Sequence, residues 1–142
     1  MARMNTLTFA EMLERQKQQK PRRHPAEEEH RIQTACVRWF RLQHPDLAHA
    51  LFAVPNGGRR DKVTAAKLRD EGVLPGVADL ILLHGNAFHG ALLIEMKTPA
   101  GRQSREQRWW QQEVEKEGYR YVICRSLDEF IASVENYLSL YK

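Results

Sequence analysis

The sequence predicts an α/β protein built on one mixed four-stranded sheet with helices on both faces. Three observations predict this class. Apolar residues recur at helical spacing in four segments, four short apolar runs have the length of strands, and capping, glycine or proline signals separate them. The elements follow one another as α-β-α-β-β-α-β-α, and a chain of 142 residues is long enough for one such layered domain.

Each predicted helix has a start or stop signal. The first begins at Pro25, a residue that suits the first turn, and runs to about His44. The second covers 61–72 and ends at Gly72. The third and fourth begin with capping boxes and run to Gly118 and to the C-terminal region, and the two boxes are Ser104 with Gln107 and Ser126 with Glu129.

The predicted strands are 50–56, 79–83, 91–97 and 119–124. The second and third flank the short turn segment HGNAFHG, which is the pattern of a β-hairpin. A helix lies between the third and the fourth, so these two strands are expected to be parallel and joined by a right-handed crossover. The sheet is therefore mixed.

The charge is uneven along the chain. Residues 1–24 contain six Lys/Arg and two Glu, which accounts for the whole net charge of +4. We expect a basic N-terminal arm (1–24), with a short helix capped by Thr8 and Glu11, followed by a neutral domain (25–142). The arm either attracts a polyanion weakly or is only a solvated tail, and charge alone does not decide between them.

Several classes of protein are disfavoured. No apolar run reaches membrane-spanning length and no signal peptide is recognisable, so we expect a cytoplasmic protein without a membrane partner. Cys36 and Cys124 are expected to be core thiols, and the six histidines lack the spacing of zinc ligands.

Two acidic residues and a lysine are the candidate active site. In a strand, Glu95 and Lys97 point to the same face, and a hairpin symmetric about Ala87 places Asp79 directly opposite Glu95. Adjacent carboxylates repel each other, and a divalent cation such as Mg²⁺ or Mn²⁺ would offset that repulsion. The backbone carbonyl of Met96 is a further candidate ligand. The alternative is a surface ion pair.

Lys97 and Glu29 extend this candidate site. Beside a divalent cation, the Lys97 ammonium can orient the attacking water, lower its pKa or stabilise charge on a phosphorane-like transition state. Glu29 continues the inward-facing stripe of the first helix through Ile32 and Cys36, whereas its two preceding glutamates lie on other faces. Without that context Glu29 would also be a solvated acid of the first turn.

Basic residues near these positions are candidates for contact with nucleic acid. The glycine pair after Asn56 allows close approach of a ligand to the backbone, and basic residues follow it. A plain turn with exposed charges explains that loop equally well. Other basic residues lead into the third helix, whose N-terminus attracts phosphate. The candidate nucleic-acid contacts are Asn56, Gly57, Arg59, Arg60, Arg102 and Arg105. The aromatic residues 109, 110, 119 and 121 could stack on bases, but aromatic residues of a helix packed against a sheet are usually core residues, and the core is favoured for Trp110.

The chain resembles the VRR-NUC branch (virus-type replication and repair nucleases) of the PD-(D/E)XK superfamily, from about Glu28 to Leu138. The resemblance rests on five segments, namely EHRIQ (29–33), VPNGGRR (54–60), GVLPGVADLILL (72–83), LLIEMKTPAGRQSREQ (92–107) and GYRYVICRS (118–126). It implies a restriction-endonuclease-like core, metal ligation by Glu29, Asp79 and Glu95, catalysis by Lys97, and a site-lining Gln107. The family's usual proline before the aspartate is absent, since Val77-Ala78 stands there.

The resemblance also implies a reaction and a substrate. Stand-alone members look like homodimeric resolvases of four-way DNA junctions, so we expect a Mg²⁺- or Mn²⁺-dependent endodeoxyribonuclease acting on branched DNA as a homodimer. Members fused to larger proteins are flap nucleases, so a flap or nicking nuclease is the alternative with the same site. A DNA-binding module that no longer cuts is the alternative from another class.

Overall fold

The computed structural model describes residues 8–11, 14, 24–55 and 62–140. From residue 25 to residue 138 the described residues form four α-helices, one short 3₁₀-helix and four strands, and residues 9–11 are also helical. In chain order they are α1 (Pro25–Gln43), the 3₁₀-helix (Pro45–Ala50), β1 (Leu51–Ala53), α2 (Lys62–Asp70), β2 (Leu80–Leu82), β3 (Leu92–Met96), α3 (Arg105–Lys116), β4 (Arg120–Cys124) and α4 (Leu127–Leu138). None of the described helices is long and apolar enough to cross a membrane.

The strands form one mixed sheet in the order β1-β2-β3-β4, which confirms the predicted architecture. β1–β2 and β2–β3 are antiparallel, and β3–β4 is parallel. In the hairpin Leu80 pairs with Ile94, and this register is the one expected from symmetry about Ala87. The predicted strands are one to four residues longer than the assigned ones, because strand ends are the least sharply defined part of each element.

Two apolar clusters cover the two faces of the sheet. One contains Ile94 and Met96 of β3 together with Cys36 and Phe40 of α1 and Phe130 of α4. The other is smaller and lies under α3, where Leu93 and Tyr121 pack against Trp110 and Val114. Each fully buried large side chain contributes roughly 1.5–3 kcal/mol of burial free energy. The sheet therefore has α1 and α4 on one face and α3 on the other.

Most of the predicted helix caps are present. Pro25 occupies the first turn of α1, Thr8 and Glu11 exchange hydrogen bonds, and Ser104 and Gln107 form a reciprocal capping box. The predicted box at α4 is only half correct. Ser126 Oγ accepts from Glu129 N, but Glu129 Oε2 accepts from Arg125 N at 2.6 Å. The Glu129 carboxylate thus accepts from the backbone N–H of Arg125, the residue before the N-cap, and not from that of Ser126.

Cys36 and Cys124 are free, buried thiols, as expected from the sequence. Both belong to the cluster between the sheet, α1 and α4. Burial raises the pKa of Cys36 to about 12 and also raises the pKa of Cys124. Their role is to fill the core.

Gly76 fixes the loop that leads into β2 against the start of α3. Its φ is +88°, and a Cβ atom there would lie 2.7 Å from the backbone carbonyl carbon and oxygen of Glu106. Only glycine permits both the left-handed conformation and this approach. The contact joins the segment before Asp79 to the helix that carries Gln107.

We expect Gly76→Ala to destabilise the protein more than Gly72→Ala does. Gly72 also has a positive φ, +102°, but nothing lies within 4 Å of a Cβ built there. Both substitutions incur the cost of a left-handed alanine, about 1–2 kcal/mol, and only Gly76→Ala adds a clash with backbone. Urea unfolding of the two variants measures the difference, and equal losses of stability would contradict a tight contact at Gly76.

Candidate active site

The hairpin register brings two carboxylates together at one end of the sheet. Asp79 precedes β2, and its backbone N–H donates to the carbonyl of Ile94 at 3.1 Å. Its Oδ2 accepts from the backbone N–H of Met96 at 2.7 Å. Asp79 is thereby held opposite Glu95, because Glu95 lies between Ile94 and Met96 in the chain.

Glu95 is almost completely buried, with 1% of its surface exposed. Its Oε1 accepts from Gln107 Nε2 at 2.8 Å and lies 3.6 Å from Lys97 Nζ. Its Oε2 accepts from the hydroxyl of Tyr121 at 3.3 Å. Neighbours on β3, β4 and α3 therefore fix this carboxyl group from three directions.

Gln107 owes its orientation to the cap of α3. Its Oε1 accepts from the backbone N–H of Ser104 at 2.8 Å, so its amide NH₂ faces Glu95. The capping box therefore brings the Gln107 amide against Glu95. One side chain both starts the helix and holds the buried carboxyl group.

The environment of Glu95 penalises its ionised form. Burial is the largest cause that raises its pKa, to about 8, and the charge of Asp79 and a hydrogen bond with that carboxyl group raise it further. Lys97 and Tyr121 act in the opposite direction and are outweighed. At neutral pH the pair Asp79–Glu95 thus holds a proton where a cation would be electrostatically favoured.

Glu29 approaches the same carboxylates from α1. It is half-buried, and its pKa is raised by burial and then by the charge of Asp79, while Lys97 lowers it. These interactions place Glu29 within electrostatic reach of both residues. The place of Glu29 on the inward-facing stripe of the first helix therefore brings it near Asp79 and Lys97.

The donor set suits a hard divalent cation, although its ligands are not arranged around one. Among the described residues, no group of three His, Cys, Asp or Glu side chains has the arrangement of a metal site. The three carboxylates nevertheless interact electrostatically around one lysine, and they offer the oxygen ligands that a divalent cation such as Mg²⁺ or Mn²⁺ prefers. Met96 packs its side chain in the cluster beside α1, and its backbone N–H donates to Asp79.

The candidate nucleic-acid contacts fall into two groups. Arg102 and Arg105 are exposed and lie at the N-terminus of α3, next to Gln107, where a phosphate is favoured. The other candidates, Asn56, Gly57, Arg59 and Arg60, lie outside the described residues.

Tyr121 and Gln103 are site residues that the sequence did not reveal. Gln103 Nε2 donates to the hydroxyl of Tyr121 at 3.3 Å and to Gln111 Oε1 at 2.8 Å, so a chain of hydrogen bonds runs from the surface of α3 to Glu95. Tyr121 pairs with Leu93, two residues before Glu95 and on the same face. The one sequence signal for Tyr121 is its place on the same face of the sheet as Glu95. That place can be recognised only when the register of the parallel pair β3–β4 is known.

The aromatic residues of this region divide between core and surface. Trp110 packs against Tyr121 with their ring centroids 6.2 Å apart, as expected. Trp109 was expected in the core and is 53% exposed, because it lies on the side of α3 that faces away from the sheet. Tyr119 is also exposed, at 40%.

A mixed sheet that presents Asp79, Glu95 and Lys97 at one end, with a glutamine from the following helix, defines a nuclease of the PD-(D/E)XK type. The family model of the VRR-NUC domain matches residues 27–128, and the chain belongs to this family. The match includes all the acidic residues of the site. DNA is accordingly its substrate.

A solved structure described as a VRR_NUC domain protein is similar in fold. It is 25% identical in sequence, has a TM-score of 0.72, and the match covers 81% of this chain and 91% of that one. No curated protein sequence matches the chain. The match to the family model and the similarity of fold therefore both indicate a VRR-NUC domain.

We expect Glu95→Gln to stabilise the metal-free protein at alkaline pH. Below pH 4.5 Glu95 is protonated in both the folded and the unfolded state. Between 4.5 and about 8 only the unfolded chain ionises, so the wild type loses stability as the pH rises. The glutamine variant avoids this loss, and its advantage should exceed about 1.4 kcal/mol, the equivalent of one pKa unit, at pH 8.

Urea unfolding in EDTA at pH 4.5 and pH 8 measures this difference. The exposed Glu135→Gln serves as control and should follow the wild type. Adding Mn²⁺ should then stabilise the wild type and leave Glu95→Gln unchanged. Parallel pH profiles for wild type and Glu95→Gln would show that the carboxyl pair is not under strain.

Proposed function

We propose that the protein is a Mg²⁺- or Mn²⁺-dependent, structure-specific endodeoxyribonuclease that cuts branched DNA in the manner of a Holliday-junction resolvase. The observation that carries this proposal is the pair Asp79–Glu95 beside Lys97, with Glu29 directed towards it. Carboxylates so close to one another repel each other unless a cation and a phosphate are bound. Both take part in the hydrolysis of a phosphodiester.

The reaction adds one water across a P–O bond. The oxygen of the water joins phosphorus in line with the departing sugar oxygen, which takes up a proton as the bond breaks. Glu29, Asp79, Glu95 and the Met96 carbonyl would hold a divalent cation, which would supply positive charge beside the phosphate and would lower the pKa of water. The protein side chains supply orientation and the remaining charge.

Lys97 is the residue placed to act on the phosphate. Its ammonium lies 3.6 Å from Glu95 Oε1, and its side chain is 13% exposed, so it faces both the carboxyl group and the open end of the sheet. From there it can donate to a non-bridging phosphate oxygen as negative charge develops. Gln107 and Tyr121 hold Glu95 still while this occurs.

A homodimer suits this activity. Two symmetric cuts in a four-way junction require two active sites, and a two-fold axis relates them in a dimer. The exposed Arg102 and Arg105 beside the site are proposed to contact the strand that is cut, together with Asn56, Gly57, Arg59 and Arg60. The basic arm 1–24 adds a weak attraction to the same polyanion.

Cleavage assays on matched substrates test the proposal. The full chain is incubated with a four-way junction, a flap, a linear duplex and a supercoiled plasmid, in Mg²⁺, in Mn²⁺ and in EDTA. We expect cutting of the junction that needs the metal. Preference for the flap or simple nicking of the plasmid would support the alternative nucleases, and binding without any cutting would make the protein a DNA-binding module.

We expect Lys97→Ala to lower kcat on the preferred substrate by about 100-fold or more, within the usual range for groups acting in proton transfer or charge stabilisation. DNA binding should change little, because the proposed role lies in the transition state. Single-turnover cleavage and a separate binding titration measure the two quantities.

Lys116→Ala is the matched control, since Lys116 also pairs with a glutamate, at 3.1 Å from Glu113, but 70% of its side chain is exposed. It should cleave like the wild type. A Lys97→Ala variant within about threefold of the wild type, a change in barrier of only ~0.65 kcal/mol, would make Lys97 a structural partner of Glu95.

A further inference from the structure

The exposed side of α1 beyond the active site carries only positive charge. Between His30 and His44 the sequence contains three arginines and no acidic residue. Arg31, Arg38 and Arg41 are exposed. The ion pairs among the described residues are Lys97–Glu95 and Lys116–Glu113, so no described carboxylate neutralises these arginines.

The neighbouring helix carries the opposite charge. α4 packs beside α1, with the rings of Trp39 and Phe130 at 6.1 Å, and its exposed ionisable residues are all acidic, namely Asp128, Glu129 and Glu135. Arg41 lies two residues after Trp39, which puts it about 160° around the helix from this contact. The charges are therefore separated on the surface rather than paired.

A groove follows the basic side of α1. It has a volume of about 410 Å³, and among its lining residues are His30, Thr34, Val37, Arg38, Arg41 and Leu42. Since an α-helix rises 1.5 Å per residue, Arg38 and Arg41 lie roughly 14 and 18 Å beyond Glu29 along the axis. The basic side of α1 thus leads away from the active-site end along the helix axis, and it is turned about 120° (Arg41) to 180° (Arg38) around the helix from Glu29.

A second basic surface starts at the same site on the opposite face of the sheet. It consists of Arg102, Arg105 and Arg108 around the first turns of α3, all exposed. The two helices cover different faces, as their separate apolar clusters show. A straight duplex lying on one of these surfaces would have to bend around the end of the sheet to reach the other. Such a bend costs on the order of 1–6 kcal/mol, whereas a branch point supplies it without bending either duplex.

We propose that Arg38 and Arg41 bind the phosphate backbone of a second duplex arm of branched DNA, while the surface around Arg102 and Arg105 holds the arm that is cut. This inference rests on the proposed function and identifies how the site distinguishes a branched from a linear substrate. The acidic surface of α4 repels DNA and so confines the arm to the groove side of α1.

The double variant Arg38→Gln/Arg41→Gln tests it. Arginine and glutamine have similar helix propensities and both positions are exposed, so α1 should remain folded, which circular dichroism checks. Affinities of the full chain for a four-way junction and for a linear duplex of equal arm length are measured in EDTA over a range of salt concentrations. On the junction the slope of log affinity against log salt should flatten by about 1.8, or 0.9 for each lost phosphate contact. On the linear duplex it should not change.

Lys116→Gln/Arg120→Gln is the matched control. It removes the same charge from exposed residues at the other end of the sheet, where Arg120 pairs with Leu92 at the start of β3. It should bind the junction with the slope of the wild type. An unchanged slope in the α1 variant, an equal effect on both DNAs, or an equal effect of the control would each overturn the proposal.

Failure of the proposed function has a different signature. A wild-type protein that cuts no branched DNA in Mg²⁺ or Mn²⁺ would refute the nuclease activity. The arm-binding measurement is made without metal and without cleavage, so it gives its own result in either case.

Discussion

The pairing of Asp79 with Glu95 is the constraint on which the rest of the site depends. Two carboxyl groups directly across a ladder, one of them with 1% exposure, are unfavourable in any protein that gains nothing from them. Each neighbouring element reduces this cost. The backbone of β3 donates to Asp79, α3 and β4 each donate to Glu95 by one side chain, and Lys97 supplies a positive charge.

The fold holds three structural elements in place around Asp79 and Glu95. The parallel strand β4 brings the hydroxyl of Tyr121 to one oxygen of Glu95, and the capping box of α3 aims Gln107 at the other. Gly76 allows the loop before Asp79 to contact the backbone at the start of α3. A shift in any of these elements would therefore move a hydrogen-bond donor away from a buried carboxyl group, at a cost of about 1–3 kcal/mol.

The surface charges are arranged around the same end of the sheet. Arginines on α1 and at the start of α3 leave the site along opposite faces, whereas α4 is acidic. Since few of these charges form ion pairs within the described chain, they contribute little to folding stability. Charges of this kind act on the approach and orientation of a polyanion, and the proposed binding of two DNA arms rests on them.

The sequence by itself determined the class of fold and the hairpin register. It also singled out Asp79, Glu95, Lys97 and Glu29 as candidate site residues, and the family resemblance added Gln107. Alternation in strands, helical spacing and capping residues are properties of short segments of sequence. A symmetric hairpin also fixes which residues of its two strands face each other. Only the tertiary structure decided the roles of Tyr121 and Gln103, the exposure of Trp109, and the partner of Glu129. These depend on the register of the parallel pair β3–β4 and on which side of a helix meets the sheet. Neither is encoded by residues close together in the chain, because a crossover connection leaves both free until the core packs.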